Sequence, residues 1–178
     1  MNTTLELPMQ PERTAEAPFA APLCSPITGQ PARLSVPQSN PQSRRKAWCA
    51  DWAIAAACGV PLDKVLSVFG VSKDGCDAYE LWGKLRNVGP ASLYSTQRNE
   101  RWPLCWSRNL VWPQFGIVGV RLFNFEGHFV TVLNGEVFDP ILFGVQSVGE
   151  WERANIGYEL EDVILLSPHY LARKWRWA

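Results

Sequence analysis

The sequence predicts an α+β domain in which N-terminal helices pack on an antiparallel sheet. Three observations carry that expectation. Apolar residues at helical spacing, closed by glycine and proline, fill the stretch from 49 to 88. β-Branched and aromatic residues dominate from 116 to 166. Asn134-Gly135 separates two of those β-rich runs, and this pair suits a two-residue hairpin turn because both positions need φ > 0.

Residues 1–43 precede the helices and differ in kind. They hold Pro8, Pro11, Pro18, Pro22, Pro26, Pro31, Pro37 and Pro41, eight of the 14 prolines in the chain. Ser, Thr, Gln, Asn and Ala fill the gaps with no period of two or 3.6, so the segment cannot bury enough apolar area to offset its own ordering entropy. It is expected to be a disordered or surface-draped arm, with residues 44–178 as the folded domain.

Cys49 to Cys58 is alanine-rich and reads as a buried helix ended by Gly59. Pro61 opens a second helix, Leu62 to Phe69, with Leu62, Val65, Leu66 and Phe69 on one side and Gly70 as its stop. Ala78 to Val88 is a third, terminated by Gly89-Pro90. Strands are expected at Gly116 to Phe123, His128 to Leu133 and Glu136 to Asp139. A short helix over Val148 to Ala154 and a last strand, Tyr158 to Leu166, complete the domain.

Charge excludes several functions. The 178 residues carry 17 Lys+Arg against 17 Asp+Glu, so the whole molecule does not attract nucleic acid or anionic lipid. Met1 to Glu6 lacks both the cationic start and the apolar core of a secretion signal, and none is expected. The uncharged run Trp52 to Leu62 is far short of the roughly 20 residues of a membrane span. The cysteines Cys24, Cys49, Cys58, Cys76 and Cys105 are odd in number and form no C-x-x-C pair, so neither a zinc site nor a disulfide framework is indicated. No cofactor is expected, and the reading is a reduced, cytoplasmic protein.

The hairpin register places a histidine near an aspartate. With Asn134-Gly135 as the loop, Leu133 faces Glu136, Thr131 faces Phe138 and Val130 faces Asp139. His128 and Asp139 are then diagonal neighbours on one face, about 7–8 Å apart between backbones and within side-chain reach. A carboxylate there fixes the imidazole tautomer and stabilises its cationic form. Val130, Val132, Val137 and Ile141 are expected on the same face, so the polar pair must pair or serve a site to offset desolvation. Cys49 lies in the first turn of the alanine-rich helix, where free N–H groups favour the thiolate. Ala53, Ala56 and Ala57 lie near its side and are small enough for a sheet to approach. Asp51 is a favourable first-turn charge with no assigned chemistry. Nucleophile, base and orienting carboxylate together compose a Cys–His–Asp arrangement for acyl transfer.

The stretch Cys49-x3-Ala53-Ile54-Ala55-x-Ala57-x-Gly59-Val60-Pro61 resembles the active-site helix of small papain-like cysteine peptidases, chiefly the compact versions of bacteriophage and bacterial genomes. Gly127-His128-Phe129-Val130 through Asp139-Pro140 is similar to their histidine hairpin. The resemblance implies a papain-like α+β fold, with Cys49 as nucleophile, His128 as base and Asp139 as orienter. It also implies a protein or peptide substrate cut through an acyl-enzyme at a peptide or isopeptide bond, and the host cytoplasm as location for a phage protein. A glutamine about six residues before the nucleophile commonly completes the oxyanion hole in that family. Here Gln42 lies seven before and Ser43 six before, which makes Gln42 the candidate donor beside the Cys49 backbone N–H.

Other readings compete. The same scaffold without chemistry would be a catalytically weak or inactive binding module, such as a phage protein that inhibits a host factor. Trp102, Trp106 and Trp112 alternate with Arg98, Arg101 and Arg108, a combination that can clamp single-stranded nucleic acid. Packing over the core or a substrate groove is the favoured reading of those rings. The Arg173 to Trp177 tail reads as solvated or partner-docking, and His169 as a surface residue in an exit turn.

Overall fold

The computed structural model describes residues 21–72, 76–96, 110–122 and 125–172. Its elements in order are α1 (Pro41–Lys46), α2 (Cys49–Cys58), α3 (Leu62–Phe69), α4 (Ala78–Arg86), β1 (Ala91–Ser95), β2 (Phe115–Leu122), β3 (Phe125–Leu133), β4 (Glu136–Asp139), β5 (Gly144–Ser147), α5 (Val148–Ala154), β6 (Glu159–Leu166) and α6 (His169–Ala172). The six strands form one antiparallel sheet in the order β1-β6-β2-β3-β4-β5. The chain is therefore α+β, with its first four helices ahead of every strand.

The three main helices stop where backbone chemistry requires. Gly59 closes α2 at φ 62°, in the left-handed region that glycine enters without a Cβ penalty, and its N–H returns to the Ala55 and Ala56 carbonyls. Gly70 does the same for α3 at φ 71°. Asp77 caps α4 by accepting from the Glu80 N–H, and α4 ends at Arg86 rather than at Val88. The hairpin turn has the expected geometry, with φ of 50° at Asn134 and 79° at Gly135. Thr131 pairs with Phe138 and Leu133 with Glu136, the register read from the turn.

Both faces of the sheet are buried. On one, Phe115, Ile117, Phe129, Leu133, Phe138 and Ile164 pack against the apolar sides of α2, α3 and α4. On the other, Val118, Val120, Val130, Val132, Val137 and Val163 lie under Trp151 of α5. The helices thus lie on both sides rather than one, because residues 115–120 of β2 and 129–133 of β3 are buried on both faces and cannot leave one wet. Trp112 belongs to this second layer. Its ring meets Trp151 edge-on at 5.4 Å, and its indole N–H donates to Glu152 Oε1 at 2.9 Å. For that tryptophan the packing reading holds, while Trp102, Trp106, the intervening arginines and the Arg173 to Trp177 tail lie outside the described residues.

Residues 21–40 lie against the hairpin tip. Asn134 donates to the Leu23 and Ala32 carbonyls and accepts from the Leu23 N–H at 2.8 Å, so one side chain binds this segment at two points. The Leu34 N–H donates to Glu136, and Ala32 and Leu34 are buried. Asn40 then caps α1, a helix the sequence reading leaves inside or beside the arm. Residues 1–20 lie outside the described residues.

The sheet is tightest at Gly116. A Cβ there would sit 2.3 Å from the Ile164 carbonyl oxygen on the paired strand β6. Gly116→Ala is therefore expected to lower stability by about 3 kcal/mol, since backbone has to give way, and a denaturant titration checks it.

Candidate active site

The hydrogen bond from Thr131 Oγ1 to the Ala53 carbonyl, 2.9 Å, joins α2 to β3 at mid-length. Four residues back along a helix is about 6 Å and three back along a strand about 10 Å. Those two steps lead from Ala53 to Cys49 and from Thr131 to His128, at the same end of the sheet. By strand alternation His128 belongs to the Val130 face, across the sheet from α2. Register shifts in β2 at Gly119–Val120 and Val120–Leu122 sharpen the twist beside it. At this rim the half-buried Cys49 is close enough to the imidazole to help raise its pKa.

His128 Nε2 lies 2.9 Å from Asp139 Oδ1, and the two side chains are only 4% and 2% exposed. Nδ1 is then the ring nitrogen left to face Cys49. Asp139 has two further donors: the Trp151 indole N–H at 2.7 Å on Oδ2, and the Ile141 backbone N–H at 2.8 Å on Oδ1. A buried carboxylate so surrounded stays ionised. Burial opposes that charge, but the bonds from His128 and Trp151, the His128 charge and the Ile141 N–H outweigh it, and the pKa of Asp139 is lowered. Burial likewise opposes protonation of His128. The Asp139 and Cys49 interactions reverse the balance and raise its pKa from 6.5 to about 9.

The helix start supplies donors. Asp51, fully buried, accepts from the Trp48 N–H at 3.0 Å and from both the N–H and hydroxyl of Ser72. Lys84 Nζ donates to the same hydroxyl at 2.8 Å. The N–H groups of Asp51 and Trp52 return to the Trp48 carbonyl, which leaves those of Cys49 and Ala50 without an acceptor among the described residues. Asp51 thus ties the helix mouth to the 72–84 region, a structural task its first-turn position alone does not reveal.

Gln42 stands on the exposed first turn of α1, and its side chain makes no hydrogen bond among the described residues. Ile141 does not join the valine face. It lies in the β4–β5 turn, 52% exposed, because the strand ends at Asp139 and Pro140 turns the chain away. His169 is exposed, but at the start of α6 rather than in a turn. Trp151 is the functional residue that the sequence reading missed. The Ser147/Glu150 capping box sets where α5 begins, yet nothing local to α5 aims its indole at a strand 12 residues earlier. Among the described residues no group of three or more His, Cys, Asp or Glu is placed to hold a metal ion. No single helix among them is long and apolar enough to cross a membrane.

The pKa shifts predict a pH profile for stability. His128 binds its proton more tightly folded than unfolded, so its contribution is full below about pH 6.5 and is lost as pH rises through 9. Asp139 works the other way, stabilising above the ordinary carboxylate range and losing that effect as pH falls through its lowered value. Melting temperature is expected to fall between pH 6.5 and 9.5, and His128→Gln to flatten that fall in melts followed by circular dichroism.

No known protein family matches this sequence, and neither curated proteins nor solved structures show a significant match to it.

Proposed function

We propose that the protein is a papain-like cysteine hydrolase that cuts a peptide or isopeptide bond in a protein or peptide substrate through an acyl-enzyme on Cys49. The observation that carries this reading is the buried His128–Asp139 pair, bonded at 2.9 Å, with Cys49 among the groups that raise the His128 pKa. Core packing alone gives no reason to bury a cation–carboxylate pair beside a thiol at a helix start.

In the reaction His128 holds the thiol proton and Cys49 Sγ attacks the carbonyl carbon. The N–H groups of Cys49 and Ala50 are the nearest backbone donors for the oxyanion, and Gln42 would have to swing toward them to add a third. The C–N bond then breaks as His128 gives its proton to the leaving amine. Water attacks the thioester carbonyl as His128 takes its proton, and the C–S bond then breaks to release the acid and return Cys49 Sγ to protonated His128. Asp139 holds the ring and stays charged throughout.

The test is alkylation by iodoacetamide from pH 5 to 10, resolved by peptide mass spectrometry. Cys49 is expected to be alkylated faster than the other cysteines at neutral pH, and to lose that advantage in His128→Ala. Cys76 is the internal control, since burial and then Glu80 push its thiol up to about 11. A Cys49 profile like that of the exposed Cys24, unchanged by His128→Ala, would overturn the hydrolase and favour the binding module.

A further inference from the structure

Helix α2 begins without the usual cap. Its N-cap residue is Trp48, whose indole has no hydrogen-bond acceptor, where Ser, Thr, Asp or Asn would bind the first free N–H groups. Asp51 substitutes from inside the helix. Its carboxylate reaches back to the Trp48 N–H at 3.0 Å, and the N–H groups of Asp51 and Trp52 hold the Trp48 carbonyl at 3.0 and 3.2 Å. Trp48 is thereby pinned on both sides, and the direction of the next N–H follows. The peptide bond from Trp48 to Cys49 is planar and trans, so the Cys49 N–H points away from that carbonyl, out of the helix mouth. The cap side chain competes neither for it nor for the Ala50 N–H.

Asp51 is in turn held by a chain of bonds that can run only one way. A carboxylate only accepts and an ammonium only donates. The Ser72 hydroxyl between them must therefore accept from Lys84 Nζ at 2.8 Å and give its own proton to Asp51 Oδ1 at 2.6 Å. The Ser72 N–H adds a bond of 3.1 Å to the same oxygen. Asp51 and Ser72 are buried, while Lys84 is half-buried on α4 and forms no direct ion pair among the described residues. Capping alone does not call for this arrangement, since an exposed polar residue at position 48 would cap α2 without burying a charge.

We propose that Lys84, Ser72 and Asp51 form a positioning chain that aims the Cys49 and Ala50 N–H groups at the oxyanion. The inference rests on the hydrolase reading and deepens it, adding three residues that act through the backbone of α2 rather than on the substrate.

Two reactions of the same thiol test this. Iodoacetamide alkylates Cys49 by direct displacement and forms no oxyanion, whereas p-nitrophenyl acetate acylates it through a tetrahedral oxyanion that needs the donors. Lys84→Met is expected to slow p-nitrophenol release roughly tenfold. Asp51→Asn should slow it roughly a hundredfold, because an amide has one accepting oxygen for three donors. In Lys84→Met the alkylation of Cys49 should stay within about twofold of the unaltered protein, and Lys84→Arg, which keeps a charged donor, should restore acylation. Lys84 is half-buried, so its variants empty no core and carry the test even where Asp51→Asn fails to fold. Acylation that is unchanged in Lys84→Met, falls in equal measure with alkylation, or is not restored by Lys84→Arg overturns the chain alone. Absence of His128-dependent acylation of Cys49 in the unaltered protein overturns the hydrolase and the chain with it.

Discussion

Cys49→Ala is expected to abolish acyl transfer while the protein still folds. Removing a nucleophile from a unit of this kind lowers turnover by about 10⁴–10⁶. Stability should change little, because the side chain is half-buried and alanine is well suited to a helix already rich in it. One change elsewhere is diagnostic. Cys49 helps to raise the His128 pKa, so the variant should show a lower imidazole pKa in an NMR titration. Activity that survives Cys49→Ala, or an imidazole that titrates as before, would show that the thiol and the ring do not work together. Cys49→Ser separates geometry from nucleophilicity, as it keeps the shape and loses the easily ionised atom.

The second large effect is expected at Asp139. Its two oxygens accept from three donors, and an amide has one accepting oxygen. Asp139→Asn must therefore leave the Trp151 N–H, or the His128 and Ile141 pair, facing an NH₂ group. A buried unpaired donor and the loss of the charge opposite His128 together predict a destabilisation of about 3 kcal/mol. Turnover should fall about a hundredfold or more, since the ring loses the group that holds its tautomer and its charge. The alkaline limb of the rate profile should move to lower pH, because the carboxylate supports the raised imidazole pKa. Rate measured against pH on a peptide substrate checks both the size and the direction. A rate limb that stays near pH 9 in the variant would assign the high pKa to some other group.

What the sequence disclosed and what it withheld divide along physical lines. Helices α2 and α3 were legible to the residue because Gly59, Pro61 and Gly70 impose their ends through local backbone geometry. The hairpin was legible because an Asn-Gly turn fixes register, and register fixes which side chains meet. His128 and Asp139 could therefore be paired before any coordinates existed. The short edge strands β1 and β5 were not legible. Ala91–Ser95 and Gly144–Ser147 carry few strong strand formers, and only their partners β6 and β4 make them strands. Helix α1 was hidden by its proline start and polar content, and it depends on the cap from Asn40. The face of Ile141 was misjudged because alternation was carried past Pro140, where the strand had already ended. The place of Trp151 lies beyond local rules altogether, since two faces of one sheet had to be closed by elements far apart in sequence.

Thiol, imidazole and carboxylate are all in the chain by residue 139, but the indole bonded to the carboxylate arrives with α5, and β6 must still insert between β1 and β2 to join the sheet. A growing or clipped chain ending at β4 would hold all three groups and lack the helix and the strand that close the sheet around them. Burial of His128 and Asp139 thus depends on segments that follow both of them in the chain.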